Sequence, residues 1–315
     1  MSTPAPSLQI GDRRPLGASG RLVSRVCLGI AGSEETVCAA FDAGINFFFV
    51  SVDMHWPEYE TTRRGLAALL ARRRSMRDDI VVAGVGYVTQ PEFCWRPFAE
   101  LVAAIPRLGR IDVSVIGGAY GHEWRRRLGE YEEHRRTGFL GVGAIGASFH
   151  DRRAALRGIN AGLVDIAFNR YNPLHVRART ELFPRLRRRR AALLYNFNST
   201  RGFVGRAAMT ALGLGPRYWR PHVTDCYRFA LARPEIDGLL VSLRRPAEVA
   251  ALARALARGP LDEEEQQYMT DLALLNAARL EDPSVTRAMV QARAASRVVA
   301  RAGRRPRARG GARRA

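Results

Sequence analysis

The stretch from Gly44 to Glu60 constrains the fold of this chain more than any other. Its centre, Phe47 to Val52, is apolar except for Ser51 and includes three consecutive phenylalanines. Because apolar and polar residues do not alternate here, the pattern predicts a strand that is covered on both faces. Strands of this kind belong to parallel α/β sheets, so we expect a sheet with helices on its outer surface.

Strand and helix patterns alternate along the rest of the chain. The predicted strands are Arg25–Gly29, Phe47–Val52, Asp79–Val85, Ile111–Ile116, Gly141–Ile145, Val164–Phe168, Ala191–Tyr195 and Gly238–Ser242. The predicted helices are Glu34–Ala43, Thr61–Arg74, Phe98–Ile105, Trp124–Arg136, Ser148–Asn160, Thr180–Arg187, Thr224–Ala232 and Ala247–Ala257. Eight strand-and-helix units over about 240 residues match the size of a (β/α)8 TIM barrel, an α/β fold. A doubly wound sheet is the alternative, but no Gly-x-Gly-x-x-Gly sequence follows the first strand.

Composition indicates how the two ends of the chain relate to the barrel. We expect residues 1–12 to be a flexible N-terminus and residues 13–300 to form the barrel with an N-terminal hairpin and extra C-terminal helices. The hairpin is predicted around the turn-forming stretch Gly17–Ser24. The C-terminal helix is predicted to begin at the acidic stretch Leu261–Glu265. Residues 301–315 contain seven arginines among Gly, Pro and Ala and are expected to be a disordered Arg-rich tail.

The net charge bears on the partners of the chain. The formal charge is +20, which ordinarily favours nucleic acid or an anionic membrane surface. All 50 basic residues are arginine, however, and the absence of lysine is more typical of a biased coding composition than of a selected phosphate-binding face. We therefore expect a small-molecule substrate or ligand and do not favour nucleic acid. The sequence gives no indication of the oligomeric state.

The distribution of apolar residues and cysteines bears on the compartment. No run approaches the roughly eighteen apolar residues of a membrane span, so we expect no membrane association. The four cysteines show no disulfide or zinc spacing, and the N-terminus has neither the basic region nor the apolar core of a secretion signal. These features predict a cytoplasmic protein. The absence of lysine also excludes lysine Schiff-base chemistry, lysine-anchored pyridoxal phosphate and a Walker-type phosphate loop.

Seven stretches, in order along the chain, carry a resemblance to one family. They are Pro15–Ser24, Ala43–Phe48, Arg77–Val82, Gly138–Ser148, Arg170–His175, Thr224–Leu231 and Gly259–Glu264. Together they resemble the aldo/keto reductase superfamily. The resemblance implies a (β/α)8 barrel and, in ordinary members, NADPH-dependent carbonyl reduction by an Asp, a Tyr, a Lys and a His.

The four catalytic positions of that family fall on other residue types in this chain. Matched residue by residue, the Asp position falls on Phe49 and the Tyr position on Met54, while the Lys position falls on Val85 and the His position on Gly117. The chain therefore resembles a divergent member that lacks the catalytic tetrad. Without a cation beside it, a phenol keeps a pKa of about 10. We predict that ordinary carbonyl reduction is very slow or absent.

The resemblance leaves the cofactor unknown. Tyr195 falls where the family stacks a ring on the nicotinamide, and Ser148 and Arg244 fall on positions that contact the carboxamide and the adenosine phosphate. The carboxamide-binding Asn and Gln of the family, in contrast, fall on Phe149 and Phe168. Binding of NADP(H) is possible on this comparison. A metal ion is less favoured, and no metal ligands are predicted, because no His-x-His or His-x3-His spacing occurs.

Polar and aromatic side chains follow the predicted strands where the mouth of a barrel would lie. The predicted catalytic residues at this mouth are Asp53, His55, Tyr87 and His122. Tyr195 is predicted to point into the same concavity. The apolar floor of the concavity is predicted to consist of Phe49, Val85 and Phe168. The alternative interpretation is that βα loops are polar in any barrel and that each histidine caps a helix or bonds a carbonyl group.

Three functions remain open from the sequence. The first is an atypical enzyme that acts on a small molecule or modified peptide at the barrel mouth without the carbonyl-reduction mechanism. The second is an NADP(H)-dependent oxidoreductase with replaced acid and base groups. The third is a non-catalytic binding or regulatory protein.

Overall fold

The computed structural model describes residues 8–73, 75–187 and 190–281. Within these ranges the strands are β1 (Arg13–Pro15), β2 (Leu22–Ser24), β3 (Val26–Ala31), β4 (Phe47–Ser51), β5 (Val81–Gly86), β6 (Val113–Ala119), β7 (Ala144–Phe149), β8 (Ile166–Arg170), β9 (Leu193–Phe197) and β10 (Gly238–Leu243). β1 and β2 form an antiparallel hairpin. The other eight strands close into a parallel barrel in the order β10-β3-β4-β5-β6-β7-β8-β9. The predicted (β/α)8 barrel is confirmed.

Helices surround this barrel, and the last helix follows it in the sequence. They are α1 (Glu34–Asp42), α2 (Glu60–Ala71), α3 (Met76–Asp79), α4 (Arg96–Ala104), α5 (Trp124–Thr137), α6 (Arg152–Asn160), α7 (Ala178–Glu181), α8 (Arg206–Ala211), α9 (Asp225–Leu231), α10 (Pro246–Ala257) and α11 (Glu263–Glu281). Short 3-10 turns lie at Trp56–Tyr59, Pro91–Phe93, Phe139–Gly141 and Phe183–Arg185. No described helix is both long enough and apolar enough to cross a membrane.

Strand β4 shows why the phenylalanine run predicts a buried parallel strand. Every residue of β4 is buried. Phe47 and Phe49 belong to the cluster inside the barrel, whereas Phe48 and Val50 belong to the cluster between the strands and the helices. Because both faces of the strand meet apolar neighbours, the sequence has no polar face and therefore no alternation.

The barrel interior is filled by aromatic side chains. The ring of Tyr195 lies 5.6 Å from that of Phe47 and 5.9 Å from that of Phe168, measured between centroids. Phe168 in turn lies 5.0 Å from Phe49. Edge-to-face pairs of this kind stabilise a core by about 0.5–1.5 kcal/mol each beyond their buried area. The interior is thus a packed core beneath the mouth rather than a channel.

The N-terminal hairpin closes the amino end of the barrel. Leu16 and Val23 are fully buried within the interior cluster. The Asn46 side chain links hairpin and barrel, because its Oδ1 accepts from the Ser24 backbone N–H at 2.8 Å and its Nδ2 donates to the Leu22 carbonyl at 2.8 Å. The open end is therefore the carboxyl end of the strands.

Two predicted helix boundaries are wrong for identifiable reasons. Ser148 and Phe149 belong to β7 rather than to the following helix, since Phe149 packs edge-on against Trp124 with 5.2 Å between ring centroids. The helix begins later, at the N-cap Asp151, whose side chain accepts from the Arg153 N–H at 2.8 Å. The predicted helix Thr180–Arg187 is reduced to α7 and a 3-10 turn because Pro184 lacks the N–H that would continue it.

Helix α11 packs on the segment around α8. Met209 and Leu212 share an apolar cluster with Leu272 of α11, and the Tyr268 hydroxyl donates to the Trp219 carbonyl at 2.8 Å. The predicted continuation of this helix to residue 300 and the predicted Arg-rich tail lie outside the described residues. Residues 1–7 of the predicted flexible N-terminus also lie outside them, whereas Ile10 is buried against the barrel.

Candidate functional site at the barrel mouth

Tyr87, the first residue after β5, is seated against Gly117 of the neighbouring strand β6. A Cβ atom at Gly117 would lie 2.7 Å from two carbons of the Tyr87 ring and 2.8 Å from the Gly86 carbonyl oxygen. Side-chain atoms do not approach one another so closely without displacing a neighbour. The phenol ring therefore occupies space that any larger residue at position 117 would need.

His55 contacts Tyr87 from the loop between β4 and α2. The two rings meet edge to face, with 4.8 Å between centroids and 77° between planes. His55 Nδ1 lies 3.2 Å from Glu58 Oε1, and its side chain is 38% exposed. An ionised carboxylate can only accept a hydrogen bond, so it favours the tautomer with the proton on Nδ1. Nε2 is then left as a base that a ligand can reach.

Asp53 ties the loop after β4 to the end of β5. Its Oδ2 accepts from the backbone N–H groups of Tyr87 and Val88, the latter at 3.1 Å. Its Oδ1 accepts from the Met54 N–H at 2.7 Å. Both carboxylate oxygens are thus engaged with the backbone, in positions that fix the start of the Tyr87 loop.

The phenols near the mouth have raised pKa values. Burial, followed by the charges of Asp53 and Glu58, raises the pKa of Tyr87 to about 12. Burial also raises the pKa of Tyr59, whose ring lies 6.2 Å from that of Phe49 at the top of the barrel interior. Both phenols therefore keep their protons near neutral pH, which suits them to donate hydrogen bonds.

Arg127 of α5 holds the backbone next to Tyr87 and Gly117, and it was not identified from the sequence. Its Nη2 donates to the Gly117 carbonyl at 2.8 Å and its Nη1 to the Gly86 carbonyl at 3.4 Å, in a buried environment. Burial lowers the pKa of Arg127. One sign in the sequence indicates that Arg127 is buried: it lies in an Arg-rich helix on the same face as Trp124, Leu128 and Tyr131.

A second ring group lies farther around the mouth. Tyr120 stacks on His150 with 5.1 Å between centroids, and His150 meets Phe197 edge-on at 5.4 Å. His150 is partly exposed; its partial burial, followed by the charge of Arg170, lowers its pKa. This histidine is therefore neutral near pH 7 and serves as an aromatic wall of the mouth.

Two residues that the sequence predicted at the mouth, His122 and Tyr195, do not lie against His55 and Tyr87. His122 is exposed in the turn before α5, and no ring contact or side-chain hydrogen bond links it to His55 or Tyr87 in the described part of the chain. The predicted position of Tyr195 at the mouth is wrong. Its ring is fully buried inside the barrel and its hydroxyl donates to the Ser24 carbonyl at 2.7 Å, toward the closed amino end. The alternation of β9 places Phe197 instead near the mouth.

Three residues were predicted to form the apolar floor of the mouth. Phe49, Val85 and Phe168 are all buried within the interior cluster. Ser148, predicted to contact a cofactor carboxamide, is buried in β7 and paired in register with Phe168 of β8.

Arg244, predicted to contact an adenosine phosphate, lies on a cavity at the end of β10. This cavity has a volume of about 460 Å³, and its wall includes Arg245, Thr200 and Ser242. Glu248 also lies there, where its carboxylate accepts from the Arg244 N–H at 2.9 Å and pairs with Arg245 Nε at 3.4 Å. The cavity sits at the amino end of α10, a position suited to an anion.

A second cavity of about 520 Å³ lies between the ends of β8 and β9. Its wall includes Arg170, His175, Asn198 and Arg201. Among the described residues, no group of three or more His, Cys, Asp or Glu side chains is arranged to hold a metal ion.

Comparison with known proteins gives a result for the fold only. No family model matches the sequence, and no curated protein matches it. Solved structures do match: the aldo-keto reductase AKR11C1 from Bacillus halodurans, in its holo form, aligns with a TM-score of 0.63 over 82% of this chain and 95% of that one, at 17% identity. The chain has the fold of the aldo-keto reductases.

Further solved structures agree. The apo form of the same reductase aligns with a TM-score of 0.62 at 17% identity, over 82% of this chain and 95% of that one. PA4992, a proposed aldo-keto reductase from Pseudomonas aeruginosa, aligns with a TM-score of 0.57 at 17% identity, over 81% of this chain and 98% of that one. In this aldo-keto reductase fold, His55 and Tyr87 lie at the carboxyl ends of the strands, where barrel enzymes place their active sites.

Proposed function

We propose that this protein acts on a small molecule, or on a modified peptide, by general acid–base chemistry at the mouth of its aldo-keto reductase-like barrel. His55 transfers the proton through Nε2, and Glu58 orients its ring. Tyr87 donates a hydrogen bond to the ligand from beside His55. The observation that carries the proposal is the edge-on contact between the rings of His55 and Tyr87. The Tyr87 ring has room there because residue 117 is a glycine and has no side chain.

The remaining residues of the site act through these two. Asp53 and Arg127 are positioning residues, because they hold the backbone on either side of Tyr87 and Gly117. Phe49, Val85 and Phe168 supply the apolar floor. His122 is not assigned a role in proton transfer, since it is exposed and outside the group.

The same geometry argues against carbonyl reduction by a tyrosine acid. That mechanism needs a phenol whose pKa is lowered by a nearby cation. Here burial and two carboxylates raise the pKa of Tyr87 to about 12, and the chain contains no lysine. The match of the family's four catalytic positions to Phe49, Met54, Val85 and Gly117, which the resemblance implies, is consistent with this proposal, and Met54 is 68% exposed.

A ligand screen tests the acid–base proposal. Thermal-shift screening of small polar metabolites would provide ligands, and each would be assayed for conversion. We expect His55→Gln to convert at least one ligand more slowly than wild type while still binding it. The expected loss is on the order of 10²–10⁴-fold, the usual contribution of a general base. His122→Gln is the matched control and should convert normally. Equal conversion by wild type and His55→Gln would contradict the proposal.

A second candidate function is the binding of a nucleotide phosphate in the Arg244 cavity. Two arginines and the amino end of α10 face this cavity, which fits a phosphate group. The nicotinamide end of NADP(H) fits less well, because Tyr195 is turned into the barrel and hydrogen-bonded to Ser24. NADP(H) would supply or accept a hydride if it bound, but the chain's own residues support only the phosphate contact.

Titration of the purified protein with NADPH, followed by cofactor fluorescence, tests this second candidate. Binding that is lost in the double variant Arg244→Gln and Arg245→Gln would support it. Binding without conversion of any carbonyl compound would favour a binding or regulatory protein. Binding that is unchanged in that double variant would contradict a phosphate site at Arg244.

A further inference from the structure

The cavity between β8 and β9 is lined by positive charge without compensating acids. Arg170, His175 and Arg201 lie on its wall, and among the residues that the structure describes no acidic side chain lines it. Within the described ranges, neither Arg170 nor Arg201 forms an ion pair with a carboxylate, although many other arginines of the chain do. Two guanidinium groups that share a cavity with no acid are a ready site for an anion.

His175 is held in one orientation on this wall. Asn172 is fully buried, and its Oδ1 accepts from the backbone N–H groups of Leu174 at 3.2 Å and His175 at 2.9 Å. His175 Nδ1 lies 2.9 Å from the same oxygen. Because an amide oxygen can only accept, Nδ1 carries a proton and Nε2 is free for a ligand.

The same asparagine fixes the loop on the opposite wall. Its Nδ2 donates to the Asn198 carbonyl at 2.9 Å, and Asn198 adopts a left-handed backbone with φ of 54°. Asn196 adds a further tie, since its side chain donates to Ser199 Oγ at 2.8 Å and accepts from the Tyr171 N–H at 2.6 Å. The loops that carry His175 and Arg201 are therefore locked together before any ligand binds.

The electrostatic field in this cavity is positive. Burial lowers the pKa of His175, and the charges of Arg170, Arg201 and Arg152 lower it further. Arg170 also lowers the pKa of His150 on the neighbouring strand end. An anion bound between the two arginines would offset this field.

The cavity lies across the mouth from His55 and Tyr87. In the ring of eight strands, four steps separate β4 from β8 and four separate β5 from β9. The loops that follow β4 and β5 carry His55 and Tyr87, and the ends of β8 and β9 lead into the cavity. The two groups therefore face each other across the mouth, and a molecule that contacts both must span its width.

We propose that Arg170, Arg201 and His175 bind the oxyanion of the substrate, a carboxylate or a phosphate, while its other end reaches His55 and Tyr87. The inference rests on the proposed acid–base function and names its substrate class as an organic acid or a phosphate ester. The two arginines hold the oxyanion by charge-assisted hydrogen bonds. His175 Nε2 becomes a further donor when the bound anion favours protonation of the ring.

Histidine NMR of the whole protein tests the inference with two probes, inorganic phosphate and acetate. His175 is assigned from the resonance that disappears in His175→Gln. We expect one or both anions to shift this resonance saturably and to raise the pH midpoint of its titration. The probe that binds more tightly identifies the substrate oxyanion as a phosphate or a carboxylate.

Arginine variants separate this site from general binding to an Arg-rich surface. Arg201→Gln, on an exposed residue, and Arg170→Gln should each weaken binding at His175 by about tenfold or more. Arg201→Lys should retain part of the affinity, and the exposed-site control Arg126→Gln should retain all of it. Equal weakening in Arg126→Gln, or no saturable shift of His175 with either anion, would overturn the inference.

One further variant separates the failure of this inference from the failure of the proposed function. His55→Gln removes the proposed acid–base group but leaves the cavity unchanged, so anion binding at His175 should persist in it. If His55 proves essential for conversion while His175 ignores both anions, only the substrate class is wrong. If anion binding is found and His55 is dispensable, the inferred oxyanion site stands and the acid–base proposal fails.

Discussion

The ring of Tyr87 lies where a side chain at residue 117 would stand, with 2.7 Å between its carbons and the Cβ position of Gly117. Gly117→Ala should therefore displace the ring and destabilise the fold by about 1–3 kcal/mol, the usual range for overpacking. Chemical denaturation gives the change in unfolding free energy. Tyr87→Ala in the same chain should relieve the part of this loss that comes from the ring, whereas the contact with the Gly86 carbonyl oxygen at 2.8 Å would remain.

Gly129 offers a matched control for that substitution. It lies in α5, and apart from its chain neighbours and the backbone of its own helix no described heavy atom lies within 4 Å of its Cβ position. Gly129→Ala should stabilise the helix by roughly 0.5–1 kcal/mol, because alanine restricts the unfolded chain. If the two substitutions have the same effect, Tyr87 does not occupy the space over residue 117.

Asp53 should matter for the position of Tyr87 and less for proton transfer. Asp53→Ala removes three hydrogen bonds from backbone N–H groups, so we expect a loss of about 1–3 kcal/mol of unfolding free energy. Asp53→Asn keeps one acceptor oxygen and should lose less. A large loss of conversion in Asp53→Asn, with stability and the Tyr87 backbone resonance unchanged, would instead indicate direct participation in the reaction.

Glu248 should compete with any phosphate in the Arg244 cavity. Its carboxylate accepts from the Arg244 N–H and pairs with Arg245, so its negative charge opposes a bound anion. Glu248→Gln should tighten binding of a phosphate-bearing nucleotide severalfold, as measured by calorimetry. The exposed Glu100, which pairs with Arg96, provides the control substitution Glu100→Gln, which should have no effect. Weaker binding in Glu248→Gln would mean that Glu248 contacts the ligand.

Stability should fall in mild acid. Burial lowers the pKa of His134, His150 and His175 in the folded protein. Nearby arginines lower the pKa of His150 and His175 further. The unfolded chain then binds protons more readily, so stabilisation is complete above the ordinary histidine pKa of about 6.5 and is lost as the pH falls below it. Unfolding free energies measured from pH 8 to 5 should show this decline.

His134→Phe should flatten part of the pH dependence. The His134 ring is buried against Phe98 and Phe139, and its Nδ1 has no hydrogen-bond partner among the described residues. Burial lowers the pKa of His134, and the nearby Glu130 and Glu133 raise it by a smaller amount. An unchanged pH profile in His134→Phe would mean that His134 is not responsible for the decline.

The fold could be predicted because its signals are local. The apolar run of β4 and the similar apolar runs along the chain specify buried parallel strands. The number of these strands, eight, specifies the barrel. Boundaries failed where a side chain's partner lies on another element: Phe149 stays in β7 because of its contact with Trp124. That contact has no trace in the spacing of residues around Ser148.

The site was predicted only in part, because strand ends give position around the barrel but not depth within it. His55 and Tyr87 follow adjacent strands, and they do meet. Tyr195 also lies at a predicted strand end, yet the register of β9 with β10 and the Ser24 carbonyl place it in the interior. Arg127 could not be recognised because the carbonyl groups it supports belong to other segments of the chain.

Steady-state NADPH oxidation with a panel of aldehydes and ketones tests the central claim most directly, in wild type and in Tyr87→Phe side by side. With the pKa of Tyr87 raised to about 12 and no lysine in the chain, we predict turnover far below the order of 1 per second common among enzymes, and the same trace rate in both proteins. Turnover on the order of 1 per second that disappears in Tyr87→Phe would contradict the account.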